Sequence, residues 1–330
     1  MSAAPNRRLV AVVLLVPAVV ALALWAFAWP AARMAPRELP VGVAGSAPAA
    51  DQLQRQLEER VGAFEVHRYD SEGAARTAIQ DRAVYGAVVA TAKGPELLTA
   101  SAAGPVVAQL LHDALTASLP AGTTVPVTDV VAAPAADPRG SVLGASILPL
   151  AIAGVAAGSA VTLLRLRGGR AGVALLGVAA LAGIIATALT DSWLGVITGG
   201  WWSEAGTLGL TVLAIGGTVA GLAALIGPAG VGLGALLMVL VGNPFSGVTS
   251  APELLPAPVG TIGQWLPPGA GGSLLRSVAF FDGHAAGGPA LTLALWAALG
   301  LAAVVIGGRR RPPAPHAPDA EPARQPALAG

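Results

Sequence analysis

The sequence predicts a polytopic α-helical membrane protein with about six transmembrane helices and an extracytoplasmic α/β domain between the first two. Three observations predict this fold class. The 330 residues are 54% hydrophobic and only 11% charged, and the mean hydropathy of +0.69 exceeds that of ordinary soluble domains. Short arginine clusters separate the long apolar runs, and one long polar stretch, residues 33–140, interrupts them.

The apolar runs set the number of transmembrane helices. A bilayer core about 30 Å thick requires roughly 20 apolar residues in a helix. The runs that qualify are 9–32, 141–164, 171–190, 206–227, 228–245 and 285–308. Gly227 and Pro228 divide an uncharged stretch at the natural breaking point. The run 228–245 is short and glycine-rich, so it forms either a full span or a re-entrant hairpin with the preceding helix.

Arginine clusters predict the orientation, because positive residues in short flanks stay in the cytoplasm. The clusters are Arg7 and Arg8, the group within 165–170, and 309–311. Six passes place all of them on one side. The N-terminal tail 1–8 and the Pro/Ala-rich, disordered tail 309–330 are then cytoplasmic, and we expect a multi-pass protein of the bacterial plasma membrane.

The first apolar run also has features of a signal peptide. Arg7 and Arg8 would form its positive region, and Ala26-Phe27-Ala28 has the form of a cleavage site. The run is longer than the usual hydrophobic region of a signal peptide, so we interpret it as an uncleaved anchor.

The polar stretch has the alternation of a folded α/β domain. Strands are predicted at 39–43, 64–69, 85–91, 96–101 and 124–131, and helices at 48–61, 71–82 and 105–119. Ser71 is a suitable N-cap, and Glu72 is favourable in the first turn of its helix. The order β-α-β-α-β-β-α-β predicts a small sheet covered by helices. Such a domain can bind a ligand, dock a partner or act as a spacer.

Several classes of chemistry lack the residues they need. The chain has no cysteine, and its only lysine, Lys93, is followed by Gly94 and Pro95 rather than the Ser or Thr of a Walker A loop. His67, His112, His284 and His316 are far apart in sequence. No G-x-S-x-G elbow is present. We therefore predict no catalytic, metal or cofactor-binding residue and no enzyme activity.

The expected partner is the lipid bilayer rather than nucleic acid, since the arginines cluster only beside apolar runs. Inside the runs no charged residue lies near a midplane, and Asp191 sits at an outer end. Ion-coupled carriers usually need a titratable group there, so a self-powered transporter is disfavoured.

The Pro/Gly-rich outer loop, residues 246–284, is the most distinctive segment. Its composition argues against a regular helix, yet its apolar residues are costly in water. It either lies at the membrane interface or dips in as short helices shielded by neighbours. Together with the turn before it, it contains the candidate outer-gate or interface residues Asn243, Pro244, Ser246, Gly247, Glu253, Pro256, Trp265, Pro267 and Arg276.

These motifs together resemble a known family. They are Leu39-Pro40-Val41-Gly42-Val43, Tyr85-Gly86-Ala87-Val88-Val89, Asn243-Pro244-x-Ser246-Gly247, Pro252-Glu253-Leu254-Leu255-Pro256 and Leu266-Pro267-Pro268. From residue 9 to 308 the chain resembles the phage-infection-protein branch of the type-2 ABC exporter permeases. The resemblance implies a permease-like subunit that exports hydrophobic or amphipathic compounds or envelope components with a separate ATPase subunit. A homodimer is one arrangement that it implies.

One feature departs from that family. Exporter permeases contact their ATPase through cytoplasmic coupling helices, whereas the inner loop here is only Arg165 to Arg170. The alternative is an envelope membrane protein without transport activity, whose outer domain binds a ligand, a partner protein or a phage.

Thiol labelling in intact cells checks the orientation. Because the chain has no cysteine, Asp51→Cys and Gly169→Cys each introduce a single thiol. We expect a membrane-impermeant maleimide to label Asp51→Cys in intact cells, and Gly169→Cys only after the cells are opened. The reverse pattern would contradict the predicted sidedness.

Overall fold

The computed structural model of the chain describes residues 4–120 and 124–309. His316 and nearly all of the predicted disordered tail lie outside these described residues. The first helix begins at Ala4 rather than at Leu9, so most of the predicted N-terminal tail belongs to it.

The order of strands and helices predicted for the polar stretch is confirmed. Residues 33–140, here called the sheet domain, contain β1 (Leu39–Gly45), α2 (Ala47–Glu58), β2 (Phe64–Tyr69), α3 (Glu72–Gln80), β3 (Gly86–Thr91), β4 (Gly94–Thr99), α4 (Pro105–Ala117) and β5 (Val127–Asp129). Ser71 caps α3 as predicted, because its hydroxyl accepts a hydrogen bond from the Ala74 amide at 3.2 Å.

The sheet has the strand order β2-β1-β3-β4-β5. β1 pairs in parallel with β2 and β3, β3 and β4 form an antiparallel pair, and β5 adds in parallel to β4. α2 and α4 cover one face of the sheet through a core that includes Leu39, Leu97 and Leu111. α3 covers the other face through Ile79, beside Val89. Helices on both faces bury the apolar side chains of the central strands.

Five helices are long and apolar enough to cross a membrane. The five are α1 (Ala4–Ala32), α5 (Ser141–Leu163), α6 (Gly168–Thr187), α7 (Trp201–Ile226) and α11 (Gly287–Gly308). A π-helix over Ala188–Trp193 continues α6. α7 lies at the centre of the bundle and packs against α5, α6 and α11. The chain is therefore a polytopic helical membrane protein.

The run 228–245 does not reach membrane length. It forms α8 (Ala229–Ala235) and a π-helix (Leu236–Gly242), whose 14 residues fall below the roughly 20 that a span requires. The described residues thus hold one membrane-length helix fewer than the predicted six. α8 returns antiparallel along α7, with Gly230 against Leu222 and Gly234 against Val219.

The segment after that π-helix, residues 243–286, is here called the connecting segment. It contains a 3₁₀ turn (Pro252–Leu254), α9 (Val259–Gln264) and α10 (Pro267–Phe280). The prediction that this composition excludes a regular helix is wrong for α10, where Pro267 and Pro268 occupy starting positions that suit proline. Every residue of α10 from Pro267 to Ser277 is buried. Short helices shielded by their neighbours were one of the two predicted alternatives.

Close contacts at glycines establish the direction of each helix. Gly154 and Gly158 of α5 approach α7 near Ile215 and Val219. Gly300 and Gly307 of α11 approach α7 at Gly217 and Ala224. These pairs show that α5, α7 and α11 run in the same direction. α6 runs oppositely, because Gly183 contacts Ala205 whereas the earlier Ala179 contacts the later Gly209.

It follows that the sheet domain and the connecting segment share one end of the bundle. The short connections 164–167 and 227–228 lie at the far end.

The helix packing can be tested with two alanine substitutions on α6. A Cβ at Gly183 would lie 2.2 Å from the carbonyl oxygen of Ala205, whereas a Cβ at Gly172 meets nothing within 4 Å. We expect Gly183→Ala to lower the free energy of unfolding by about 1–3 kcal/mol through overpacking. Gly172→Ala should leave it unchanged or raise it slightly. Thermal unfolding in detergent measures both, and equal effects would contradict the α6–α7 contact.

Candidate functional site

A polar cleft separates the sheet domain from the connecting segment. Its cavity volume is about 540 Å³. Arg82 and Tyr85 line it from the sheet domain, and Glu253 and Arg276 line it from the connecting segment. This cavity is called the polar cleft below, and these four side chains form its polar interior. A volume of this size is in the range of small-molecule sites.

Arg82 reaches the cleft from the C-terminal end of α3. Its backbone has φ +60°, and the amides of Arg82 and Ala83 bond to the carbonyls of Ile79 and Ala78. This is a Schellman motif, in which the left-handed position ordinarily holds glycine. An arginine there is strained by roughly 1 kcal/mol. The contacts that the Arg82 side chain makes offset this strain.

The Arg82 guanidinium bridges the sheet domain to α10. It donates to the carbonyl oxygen of Ser273 at 3.0 Å and to the hydroxyl of Ser277. It also lies over the Phe281 ring, 5.4 Å from the centroid. Burial lowers the pKa of Arg82, and the nearby Tyr85 and Glu253 partly offset that effect.

Tyr85 and Glu253 form the second link across the cleft. The Tyr85 amide is held by the carbonyl of Pro40, which directs the ring towards the connecting segment. Its hydroxyl donates to Oε2 of Glu253 at 2.8 Å. Burial, and then the charge of Glu253, raise the pKa of Tyr85 above its usual range. The hydroxyl therefore stays protonated and acts as a donor.

Arg276 is the most deeply buried charge of the cleft, at 5% exposed. One terminal nitrogen donates to the carbonyl oxygen of Val248 at 2.8 Å. Its Nε has no hydrogen-bond partner among the residues that the structure describes. Buried polar groups are usually paired, so this arginine departs from the rule.

The connecting segment is held by a chain of polar contacts. Gln264 donates to the carbonyl oxygen of Ser246 at 2.7 Å and accepts from the Ser273 hydroxyl at 2.6 Å. A Cβ at Gly263 would lie 1.7 Å from the carbonyl oxygen of Phe245. Only glycine permits that approach, so α9 packs directly on the turn that follows Asn243.

Two further contacts close the rim. The carboxylate of Asp81, at the end of α3, lies 2.7 Å from Nδ1 of His284. Arg37, in the chain that leaves α1, donates to the carbonyl oxygen of Leu254 at 2.8 Å. The sheet domain and α1 are therefore both attached to the connecting segment.

The structure divides the sequence-predicted candidates into two groups. Glu253, Trp265 and Arg276 line the polar cleft. The others lie in the turns and helix starts that support it: Asn243, Pro244, Ser246, Gly247, Pro256 and Pro267.

Sequence reasoning missed Arg82, Tyr85 and Gln264, because their position in the cleft depends on tertiary packing. It also missed Glu204, which was placed before the fourth run. Glu204 lies in the first turn of α7, is fully buried and accepts from the Gly199 amide at 2.7 Å. Among the described residues no group of three His, Asp or Glu side chains could hold a metal ion.

The fold and the cleft define a class: a helical membrane protein whose sheet domain closes over a buried connecting segment. Comparison of the chain with models of known families, with curated proteins and with solved structures gives no match. Function must therefore be argued from the residues of the cleft.

The link between Tyr85 and Glu253 can be tested by removing one hydroxyl. Tyr85→Phe leaves the Glu253 carboxylate without its donor, so we expect a loss of about 1–3 kcal/mol in the free energy of unfolding. Tyr69→Phe is the matched control, because the Tyr69 hydroxyl makes no hydrogen bond within the described part of the chain. Thermal unfolding of both variants gives the comparison. Equal stabilities would show that the bond contributes nothing.

Proposed function

We propose that the chain is the permease-like membrane subunit of an exporter. It moves hydrophobic or amphipathic compounds, or envelope components, outward across the bacterial plasma membrane, and a separate ATPase supplies the energy. The observation that carries this proposal is the interruption between α8 and α10. Both helices pack on α7. Between the π-helix that extends α8 and the start of α10, the chain forms turns, a 3₁₀ turn and the short α9 instead of a continuous helix.

The interruption lies inside the bundle. Gly242, where the first half ends, is next to Pro268 at the start of α10, and Gly271 contacts Thr211 of α7. Gly199, just before α7, meets Val278 near the end of α10, so α10 continues along α7 in the direction of α8. Irregular backbone at membrane depth is tolerated only where protein buries it or where it lines a cavity. Transporters place substrate sites at such discontinuous helices.

The proposed orientation follows the arginine clusters. The sheet domain and the connecting segment face the exterior, and both termini are cytoplasmic. In this arrangement the connecting segment is the outer gate, and the contacts of Arg82, Tyr85 and Asp81 hold it closed.

A second candidate function is an envelope protein without transport activity, whose outer domain binds a ligand, a partner protein or a phage. The far end of the bundle favours it. Within the described residues that end offers the connections 164–167 and 227–228 and the end of α11, where Gly308 meets Gly168. This is a small surface on which an ATPase could act.

Cross-linking across the rim tests the gate. In the cysteine-free chain, Asp81→Cys with His284→Cys places two thiols where the side chains now touch. We expect cells that express the double variant to export an amphipathic dye, and a membrane-impermeant bis-maleimide to stop that export. The two single-cysteine variants are the controls and should remain active after the same treatment.

Affinity purification from mild detergent complements this test, with an ATPase expected to copurify. A chain that exports no dye from a broad amphipathic panel, and that captures no ATPase, would overturn the export proposal and favour the second candidate.

A further inference from the structure

The polar cleft carries an excess of positive charge in its interior. Arg82 and Arg276 face one carboxylate, that of Glu253, and Tyr85 is neutral. These inner residues carry two positive charges and one negative charge. Arg37, Glu38 and Glu65 at the rim bring the whole lining to three charges of each sign. Among the described residues neither arginine lies within ion-pair distance of a carboxylate. Glu253 is instead bonded to Tyr85.

Burying unpaired positive charge costs free energy, so these two arginines require an explanation. Arg276 is nine-tenths buried, and its Nε is unpaired. Its charge also interacts unfavourably with that of Arg82. A buried donor without a partner forfeits the hydrogen bond that water would provide. Arg82 adds the strain of a left-handed backbone. The contacts of both arginines with the Ser273 and Val248 carbonyls leave their positive charges without an anionic partner.

We propose that the polar cleft binds the singly charged anionic head group of an amphiphile, a carboxylate or a phosphate diester. This inference names a substrate class for the exporter and rests on the proposed function only for the transport role. The binding itself is independent of export.

The chemistry of the two arginines fits such a head group. A guanidinium presents planar N–H donors that match the paired oxygens of a carboxylate or phosphate. The donors come from the terminal N–H groups of Arg276 and Arg82 that have no partner in the described part of the chain. Glu253 limits the charge that the cleft accepts, because it would repel a second negative charge. One anionic charge neutralises the interior.

The walls of the cleft fit the apolar part of the same molecule. Leu255, Ala257 and Pro289 line it beside the charged residues. Trp265 also lines it and is 71% exposed. Pro289 belongs to the first turn of α11, a helix of membrane length. This side of the cleft therefore meets the bilayer, where an acyl chain would enter.

The opposite rim disfavours small anions from water. Glu38 and Glu65 line it and are exposed. Arg37, the positive residue nearby, is already bonded to three backbone carbonyls. A free anion would approach past two carboxylates, whereas an amphiphile reaches the arginines from the side of Trp265.

Binding to the purified full-length chain in nanodiscs of uncharged lipid tests the inference. The probes are decanoate and didecyl phosphate as anionic amphiphiles, decyltrimethylammonium as the cation, and decanol as the uncharged control. Acetate and dimethyl phosphate are the free anions with the same head groups. Isothermal titration gives each affinity. We expect the anionic amphiphiles to bind at least about tenfold more tightly than decanol, the worth of one charged hydrogen bond.

Substitutions assign the binding to the two arginines. Arg276→Gln and Arg82→Gln should each reduce the affinity for decanoate about tenfold or more and leave that for decanol unchanged. Arg276→Lys keeps the charge and loses the planar fork, so an intermediate loss is expected. Arg68→Gln is the matched control, because Arg68 pairs with Asp51 on the same domain and does not line the cleft. Thermal unfolding identifies any variant that fails to fold. If Arg276→Gln fails to fold, Arg82→Gln and Arg276→Lys provide the test in its place.

Each outcome decides one point. Equal affinities for decanoate and decanol, or anion binding that survives both arginine substitutions, would overturn the inference. If acetate binds as tightly as decanoate, or dimethyl phosphate as tightly as didecyl phosphate, the inference of an amphiphilic ligand is wrong. The cleft is then a site for free anions. Anion binding without ATPase capture or dye export would support the site and reject the exporter.

Discussion

Backbone amides and carbonyls that leave a helix inside an apolar bundle must find partners within the protein, because no water is at hand to replace them. In this chain the requirement falls on the connecting segment. Gln264 and the Ser246 turn satisfy part of it, and Arg276 satisfies the carbonyl of Val248. The sheet domain supplies further contacts, from Arg82 to the Ser273 carbonyl and from Arg37 to the Leu254 carbonyl. Polar contacts between the two parts are thus a condition for burying α10 at all.

The sequence predicted the regular parts of the fold well, for a physical reason. Alternating strands and amphipathic helices are local patterns, so the strand and helix order of the sheet domain could be read from periodicity. α10 could not, because its glycines and prolines argue against a helix until their neighbours are known. Gly271 faces Thr211 and Gly272 faces Val248 at distances that no Cβ permits. Tertiary packing overrode local propensity there.

The sequence predicted the cleft residues of the connecting segment but not those of the sheet domain. Glu253 and Arg276 were predicted because they lie in the distinctive Pro/Gly-rich loop, Glu253 within the motif Pro252-Glu253-Leu254-Leu255-Pro256. Arg82 and Tyr85 lie about 170–195 residues before the residues of the connecting segment that they bond. In the sequence they look like ordinary surface residues of a soluble domain. No local pattern marks the left-handed backbone at Arg82, since glycine is what that position usually contains. Only the docking of the sheet domain on α10 brings the two halves together.

Part of the hydrophobic core of the sheet domain comes from residues of the connecting segment. Phe281, just beyond α10, is buried beside Ile79 and Val89 on one face of the sheet. Ala251 and Leu254 complete the interior on the other face. A fragment cut out as residues 33–140 would therefore expose two apolar holes and lose three of the side chains that fill them. Secretion or crystallisation of such an excised piece should suffer from aggregation unless those residues are grafted back onto it.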